Sequence, residues 1–148
     1  MRAISDMSIH DFMAAYKRVW ESRDSEGFAA LFTETGQYWN TPFQVQDSVE
    51  ARKTYWDRIK LQEDISLSYE VLGETPTGGF AHWHVEYQVA SEELFEIWAR
   101  STGTGLPDRA SGDPLPRMIL DGTLLGRFDT AGKATNVRIW WHSTARQP

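Results

Sequence analysis

The chain has 148 residues, 41% of them hydrophobic, with 15 basic against 21 acidic side chains and a net charge of −6. That length suits one domain, taken here as 1–148 with one core, and the acidic balance argues against nucleic-acid and anionic-membrane partners, which would repel it. The absence of cysteine removes disulfides, thiolate metal sites and cysteine nucleophiles. No apolar run reaches the roughly 18–20 residues of a membrane span, and MRAISDMSIH lacks the apolar stretch of a signal peptide, so the expected location is the cytoplasm.

Ser8-Ile9-His10-Asp11 has the form of a capping box, and Ile9, Phe12, Met13, Tyr16, Val19 and Trp20 follow at helical spacing. Arg23-Asp24-Ser25 breaks that helix. Ser25 is positioned to cap a shorter one carrying Phe28, Leu31 and Phe32, with Gly36 as its end. Residues 37–42 read as a short strand stopped by Pro42. Asp47 and Glu50 form another cap signature, opening a helix to about Leu61 with Val49, Tyr55, Trp56 and Ile59 on it.

From Ile65 the period switches to two. Ile65, Leu67, Tyr69 and Val71 alternate with Ser66, Ser68 and Glu70. After a turn at 73–79, Ala81, Trp83, Val85, Tyr87 and Val89 alternate with His82, His84, Glu86 and Gln88. Paired as a hairpin, the two apolar rows fall on one face and the two polar rows on the other. Ser91 opens a short helix with Leu94, Ile97 and Trp98. Residues 101–116, rich in glycine and proline, read as a loop, so 91–116 is an insertion. Strands at about 117–128 and 134–142, joined by a turn at 129–132, complete an α+β plan of three helices and a mostly antiparallel sheet.

Three groups of residues carry potential chemistry. Gly126 to Lys133 has one residue too many for a phosphate loop and links two strands, so it is a hairpin turn. His82, His84 and Glu86 share one strand face, where they could ligate zinc or iron, with His142 a further imidazole, or simply make a polar outer surface. A Ser-His-Asp triad has no strand–turn–helix elbow to support it. Tyr16, on the apolar side of the first helix, is either an ordinary core tyrosine or a donor to a ligand oxygen. Asn40 either anchors a water or a carbonyl or makes a turn before Pro42.

Several stretches in order resemble the SnoaL-like branch of the NTF2-like superfamily, with ketosteroid isomerase, limonene-epoxide hydrolase and scytalone dehydratase as relatives. They are Tyr16-Lys17-Arg18-Val19-Trp20-Glu21-Ser22-Arg23-Asp24, Phe28-Ala29-Ala30-Leu31-Phe32, Tyr38-Trp39-Asn40 and Ala51-Arg52-Lys53-Thr54-Tyr55-Trp56. Gly126-Arg127-Phe128-Asp129 and Arg138-Ile139-Trp140-Trp141-His142 follow. The resemblance implies a cone-shaped fold, three helices against a curved sheet around a deep pocket, and a homodimer. It also implies a cofactor-independent isomerase, cyclase, hydratase or hydrolase of a lipophilic metabolite such as a polyketide, terpenoid or aromatic compound.

By that resemblance Tyr16 matches the isomerase's oxyanion-hole tyrosine. The isomerase's base falls at Asn40 and its protonated aspartic acid at Leu124. Both carboxylates are therefore missing, and steroid isomerisation by that route is not expected. Tyr38 and Asn40 are similar to the epoxide hydrolase's water-positioning pair. Asp24 stands where some relatives use an aspartate paired with a histidine, but Gln62 occupies the histidine's place. One alignment turns His84 and Glu86 inward, and a one-residue shift turns them outward and points Trp83 and Val85 at the helices. The second is preferred because the apolar row should meet the helices. The expected pocket lining is then Tyr16, Trp20, Tyr38, Asn40, Tyr55 and Trp56 from the first half, with Trp83, Leu120, Leu124, Val137, Ile139 and Trp141 from the strands. The catalytic roles implied fall on Tyr16 and Asn40, with Asp24 among several candidate bases. The insertion 91–116 would be a lid or a dimer contact anchored by Trp98. The alternatives to an enzyme of this kind are a non-catalytic binding or carrier domain, and a metal-dependent enzyme built on His82, His84 and Glu86.

Overall fold

The first helix, α1 (Ile9–Glu21), starts where the sequence places it. Ser8 Oγ accepts the Asp11 N–H at 3.2 Å, and the Asp11 carboxylate accepts from the Ser8 N–H at 3.2 Å. Its apolar stripe of Ile9, Phe12, Met13, Tyr16, Val19 and Trp20 is buried. This is a computed structural model that describes residues 8–101 and 112–146, and the side chains of all of these except 98–101. Tyr16 and Trp20 lie one turn apart on the same stripe, so both rings aim at the sheet.

The short α2 (Ser25–Ala29) is capped by Asp24, whose Oδ1 accepts the Gly27 N–H at 2.8 Å, rather than by Ser25 as the sequence reading had it. Ser25 instead donates to Asp57 Oδ1 at 2.7 Å. The helix also stops earlier than expected. Phe32 already belongs to β1 (Phe32–Thr41), because its backbone pairs in parallel with Ala134, a partner too distant in sequence to be seen locally. Gly36 is therefore inside the strand. It lies within the stretch where the register slips between Phe32 and Gln37, and a Cβ there would come within 2.6 Å of the Ala134 carbonyl oxygen. Pro42 does stop the strand, since β1 ends at Thr41. It sits in the turn of a small hairpin that leads into β2 (Gln44–Gln46).

Ser48, not Asp47, caps α3 (Val49–Trp56), which tightens into a 3-10 turn over Asp57–Leu61. Arg52 on α3 is fully buried and donates to the carbonyls of Gly36 at 2.6 Å and Thr33 at 2.9 Å. Its guanidinium lies over the Phe32 ring at 4.9 Å. It thus satisfies the backbone oxygens that the irregular part of β1 leaves unpaired, which is what makes a buried cation tolerable there.

Strands β3 (Gln62–Thr75) and β4 (Gly78–Val89) pair in the register that the alternation implies, with Leu67 opposite Val85, Tyr69 opposite Trp83 and Ser68 opposite His84. Trp83, Val85, Tyr87 and Val89 are buried, while His82, His84 and Glu86 are only partly covered on the other face. The outward register is therefore the one adopted. Both strands run longer than expected, and the turn shrinks to Pro76-Thr77. Within the insertion, α4 covers Glu92–Ser101 with Leu94 fully buried. The Trp98 side chain and the remainder of the loop to residue 111 fall outside the described residues.

The last two strands, β5 (Arg117–Phe128) and β6 (Ala134–Ala145), complete a six-stranded sheet in the order β2-β1-β6-β5-β4-β3, antiparallel except for β1 with β6. The turn between β5 and β6 is held by Asp129 Oδ1, which accepts from Ala131 and Lys133 N–H groups at 3.0 and 2.8 Å, so it is a hairpin turn. Helix α1 docks on β3 through Glu21, which accepts the Leu67 N–H at 3.0 Å and pairs with Lys17 at 2.7 Å. The result is an α+β cone, with helices closing the concave side of a curved sheet.

Gly122 on β5 is what lets the largest rings of the sheet approach one another. A methyl group there would overlap the Trp140 carbonyl oxygen and come within 2.8 Å of both Trp141 Cβ and the Trp83 ring. Gly122→Ala should therefore destabilise the fold by about 1–3 kcal/mol through overpacking. Urea unfolding checks this: the midpoint should fall at unchanged m. An unchanged midpoint contradicts the packing described.

Candidate functional site

The interior is a stack of aromatic rings rather than an open bowl. Phe28 lies flat on Trp56 with ring centroids 3.9 Å apart, and Trp56 also meets Tyr16 at 5.7 Å and Trp20 at 5.3 Å. Trp20 in turn meets Trp83 at 5.6 Å. Between these rings a small enclosed space is lined by Trp20, Tyr38, Tyr55, Trp56, Arg58, Ile59, Gln62, Trp83, Leu120, Ile139 and Trp141. It measures about 20 Å³, room for one water molecule by the roughly 10–15 Å³ such a molecule needs. A wider groove along α1 is lined, among the described residues, by Ala14, Lys17, Arg18, Glu21 and Ser22, on that helix or at its end.

Eight of the residues expected in the lining, Trp20, Tyr38, Tyr55, Trp56, Trp83, Leu120, Ile139 and Trp141, do border this space. Leu124 and Val137 are fully buried but lie further along β5 and β6, towards Phe128 and Ala134, and do not border it. Tyr16 stands behind Tyr38, its hydroxyl 2.8 Å from the Tyr38 hydroxyl. Burial pushes both phenols well above their usual range, so both stay protonated and act as hydrogen-bond donors, not bases. One hydroxyl of the pair must donate to the other, which polarises the second for a further contact.

Asn40 is held differently from the expectation that it orients water. Its Nδ2 donates to Gln44 Oε1 at 3.0 Å, its Oδ1 accepts from Gln46 Nε2 at 3.2 Å, and its backbone carbonyl accepts the Trp141 indole N–H at 2.8 Å. The side chain thus clamps the β1–β2 hairpin whose turn holds Pro42, the turn-making role that the sequence left open as the alternative. Asp24 is exposed at the start of α2 with its carboxylate on the Gly27 N–H, so it caps a helix and faces away from the ring-lined space.

Gln62, noted in the sequence only as standing in a histidine's place, has a part of its own. It is fully buried at the start of β3, and its Oε1 accepts the Trp20 indole N–H at 2.9 Å. Its Nε2 has no hydrogen-bond acceptor among the described residues, and neither has the indole nitrogen of Trp83, which is also fully buried. By contrast, the indole N–H groups of Trp20, Trp39, Trp56 and Trp141 each have one. A buried donor left unpaired costs about 1–3 kcal/mol, so two on one small space are a notable departure from ordinary packing.

The outer face of the sheet holds a second polar cluster. Asp121 bonds His82 Nε2 at 2.8 Å and His84 Nδ1 at 3.0 Å, and His84 Nε2 bonds Glu86 at 3.2 Å. Glu86 also pairs with Arg146 and lies 3.8 Å from Arg117. His82 Nε2 and both ring nitrogens of His84 are thus engaged with carboxylates. Among the described residues no three His, Asp or Glu side chains are arranged to hold a metal ion.

No family model and no curated protein matches the sequence. Solved structures do resemble the fold. The epoxide hydrolase/cyclase-like enzyme SalBIII, of pyran ring formation in the polyether salinomycin, aligns over 93% of this chain and 95% of its own at 12% identity and a TM-score of 0.63. An NTF2-like protein of unknown function from Exiguobacterium sp. 255-15 aligns over 88% and 97% at 19% identity and a TM-score of 0.60. A computationally designed 17-OHP binder aligns over 92% and 95% at 15% identity and a TM-score of 0.60. The architecture is therefore the NTF2-like cone. At these identities the likeness establishes the fold, and the same fold serves enzyme and binder alike.

The outer cluster makes a pH prediction. The Asp121 hydrogen bond, with help from Glu86, holds His84 above its ordinary value, so its contribution is complete below about pH 6.5 and is lost as pH rises through the raised value. Arg146 and His84 hold Glu86 low. Burial pushes Asp121 up, but the bonds from His84 and His82 outweigh it and leave it low. Both carboxylate contributions are therefore lost as pH falls through those lowered values. His84→Gln should cost most between about pH 4.5 and 6.5 and little at pH 8, with a maximum of about 1 kcal/mol because the pairs are partly solvated. Unfolding free energies at pH 5.5 and 8 check this, and a pH-independent cost contradicts it.

Proposed function

We propose that the chain is a small-molecule pocket protein whose ring-lined interior receives a lipophilic metabolite. As the first reading, it acts on that metabolite as a cofactor-independent isomerase, cyclase or hydratase. The observation that carries the proposal is the Tyr16–Tyr38 hydroxyl pair, buried among apolar rings at the edge of the enclosed space. Buried phenols that stay protonated are suited to hydrogen-bond an oxygen on which negative charge develops, because the surroundings are dry and the donors are already oriented. In this reading Tyr38 meets the substrate oxygen and Tyr16 supports it from behind, so Tyr16 is a positioning residue. Asn40 holds the hairpin that carries Tyr38.

A specific observation favours a second reading, a non-catalytic binding or carrier domain. Among the described residues the lining includes no carboxylate and no imidazole, and Arg58, its cationic member, lies over the Tyr55 ring at 4.3 Å. A proton-abstracting base would then have to come from the substrate, from water or from the rest of the insertion. Likeness to both a cyclase-like enzyme and a designed binder is consistent with either reading.

A homodimer would use the outer sheet face, where Phe80 and Trp140 are exposed beside the His82–Asp121–His84 cluster. Sizing at two concentrations tests it, and a monomer at both rejects it.

The two readings separate experimentally. Purified protein is incubated with a panel of lipophilic epoxides, enones and ketones, with binding followed by thermal stabilisation and products by mass spectrometry. The enzyme reading predicts product from at least one compound, and a loss of about 10²-fold or more in turnover in Tyr38→Phe with the fold retained. Stabilisation without product selects the binding reading. Neither stabilisation nor product overturns the pocket assignment.

A further inference from the structure

The two unpaired donors have no part in the hydroxyl-pair mechanism, yet they border the same space. Resting on the reading of that interior as a small-molecule site, we propose that Gln62 Nε2 and Trp83 Nε1 form a paired donor site for a carbonyl oxygen of a neutral, ring-bearing ligand.

The orientation of Gln62 is fixed by chemistry. The Trp20 indole can only donate, and it lies 2.9 Å from the Gln62 side-chain oxygen, so the amide nitrogen must face away from it. Both Gln62 and Trp83 are fully buried, and neither nitrogen has an acceptor among the described residues. Trp20 links them, touching Gln62 through its N–H and packing against the Trp83 ring at a tilt. Two residues that border one space, each with a buried donor that lacks an acceptor, make a site that is satisfied by an oxygen with two lone pairs and no hydrogen of its own to place. A carbonyl is that group. An alcohol would bring a hydrogen that needs its own acceptor.

Charge and shape narrow the ligand further. A carboxylate would have to lose its water among apolar rings, and two neutral donors are a poor exchange for that hydration. Arg58, the lining's cation, is partly exposed and held over Tyr55. The remaining walls are mostly rings, among them Trp20, Trp56, Trp83 and Tyr38, with Ile59, Leu120 and Ile139 between them, which favours a flat or ring-containing body. The resting space is only about 20 Å³, so such a body enters by displacing the partly exposed rings, Tyr55 and Trp141.

The test uses 1-tetralone, its parent hydrocarbon tetralin and the anion 1-naphthoate as probes. Binding to the whole protein is measured by calorimetry and by the indole ¹H–¹⁵N resonance of Trp83, assigned through Trp83→Phe. The ketone should bind about 10-fold tighter than the hydrocarbon and should shift the Trp83 indole resonance, which the hydrocarbon should leave in place. Trp83→Phe and Gln62→Met should each shrink the ratio of ketone to hydrocarbon affinity towards one, whatever they do to hydrocarbon binding itself. Should Gln62→Met fail to fold, Trp83→Phe and the resonance decide the matter. Equal binding of ketone and hydrocarbon overturns the donor site while the small-molecule reading stands. Tightest binding by 1-naphthoate overturns the neutral carbonyl class, and a ketone preference kept in both variants overturns the two residues. No binding by any probe overturns the small-molecule reading itself.

Discussion

Everything inside the cone is arranged around the Trp56 ring. It is held flat against Phe28, and Tyr16, Trp20, Tyr38 and Tyr55 pack around it. Its indole N–H reaches the Val19 carbonyl at 3.4 Å, so α3 is tied to the last turn of α1 through the same side chain. Because the ring is rigid and fully buried, the helices can close on the sheet only at the distance it sets. That distance leaves a space just large enough for one small polar group. The core and the candidate site are consequently the same object, and a change made to stabilise one alters the other.

The polar groups of this interior follow a consistent logic. Several polar side chains serve the fold through a definite partner: Arg52 for the irregular backbone of β1, Glu21 for the Leu67 amide, Asn40 for the β1–β2 hairpin. The exceptions on the enclosed space are the donors of Gln62 and Trp83. Their unpaired state is a cost to the folded protein that an acceptor oxygen would remove, so ligand binding and stability are coupled at this point. The Tyr16–Tyr38 pair adds a further neutral donor nearby. The site as a whole is rich in hydrogen-bond donors, poor in bases and walled by rings, which matches recognition of an oxygen on an apolar molecule better than unaided proton abstraction.

Much of the architecture was legible because its causes are local. The capping box at Ser8, the helical stripe to Trp20 and the period-two rows of β3 and β4 each depend on neighbours a few residues away, and they appear where the pattern puts them. The facing of His82, His84 and Glu86 followed from the same alternation. What escaped depends on distant partners. Phe32 is a strand residue because it pairs with Ala134, about a hundred residues later. Gln62 looked like a gap where relatives carry a histidine. Its role emerges only when Trp20, 42 residues earlier, takes its oxygen and leaves its nitrogen free. Tyr16 was identified as a phenol of interest, but its place behind Tyr38 required the packing around Trp56. Gly122 carried no local signal, since its requirement comes from Trp83 and Trp141 on the flanking strands.

The central claim is that the ring-filled interior opens to hold an apolar molecule by its oxygen. The most direct measurement is a crystal structure of the protein grown with 1-tetralone. The account predicts the ring system between Trp20, Trp56 and Trp83, with Tyr55 or Trp141 displaced and the carbonyl oxygen about 3 Å from both Gln62 Nε2 and Trp83 Nε1. A ketone bound on the outer sheet face, with the interior rings packed as they are here, would contradict it.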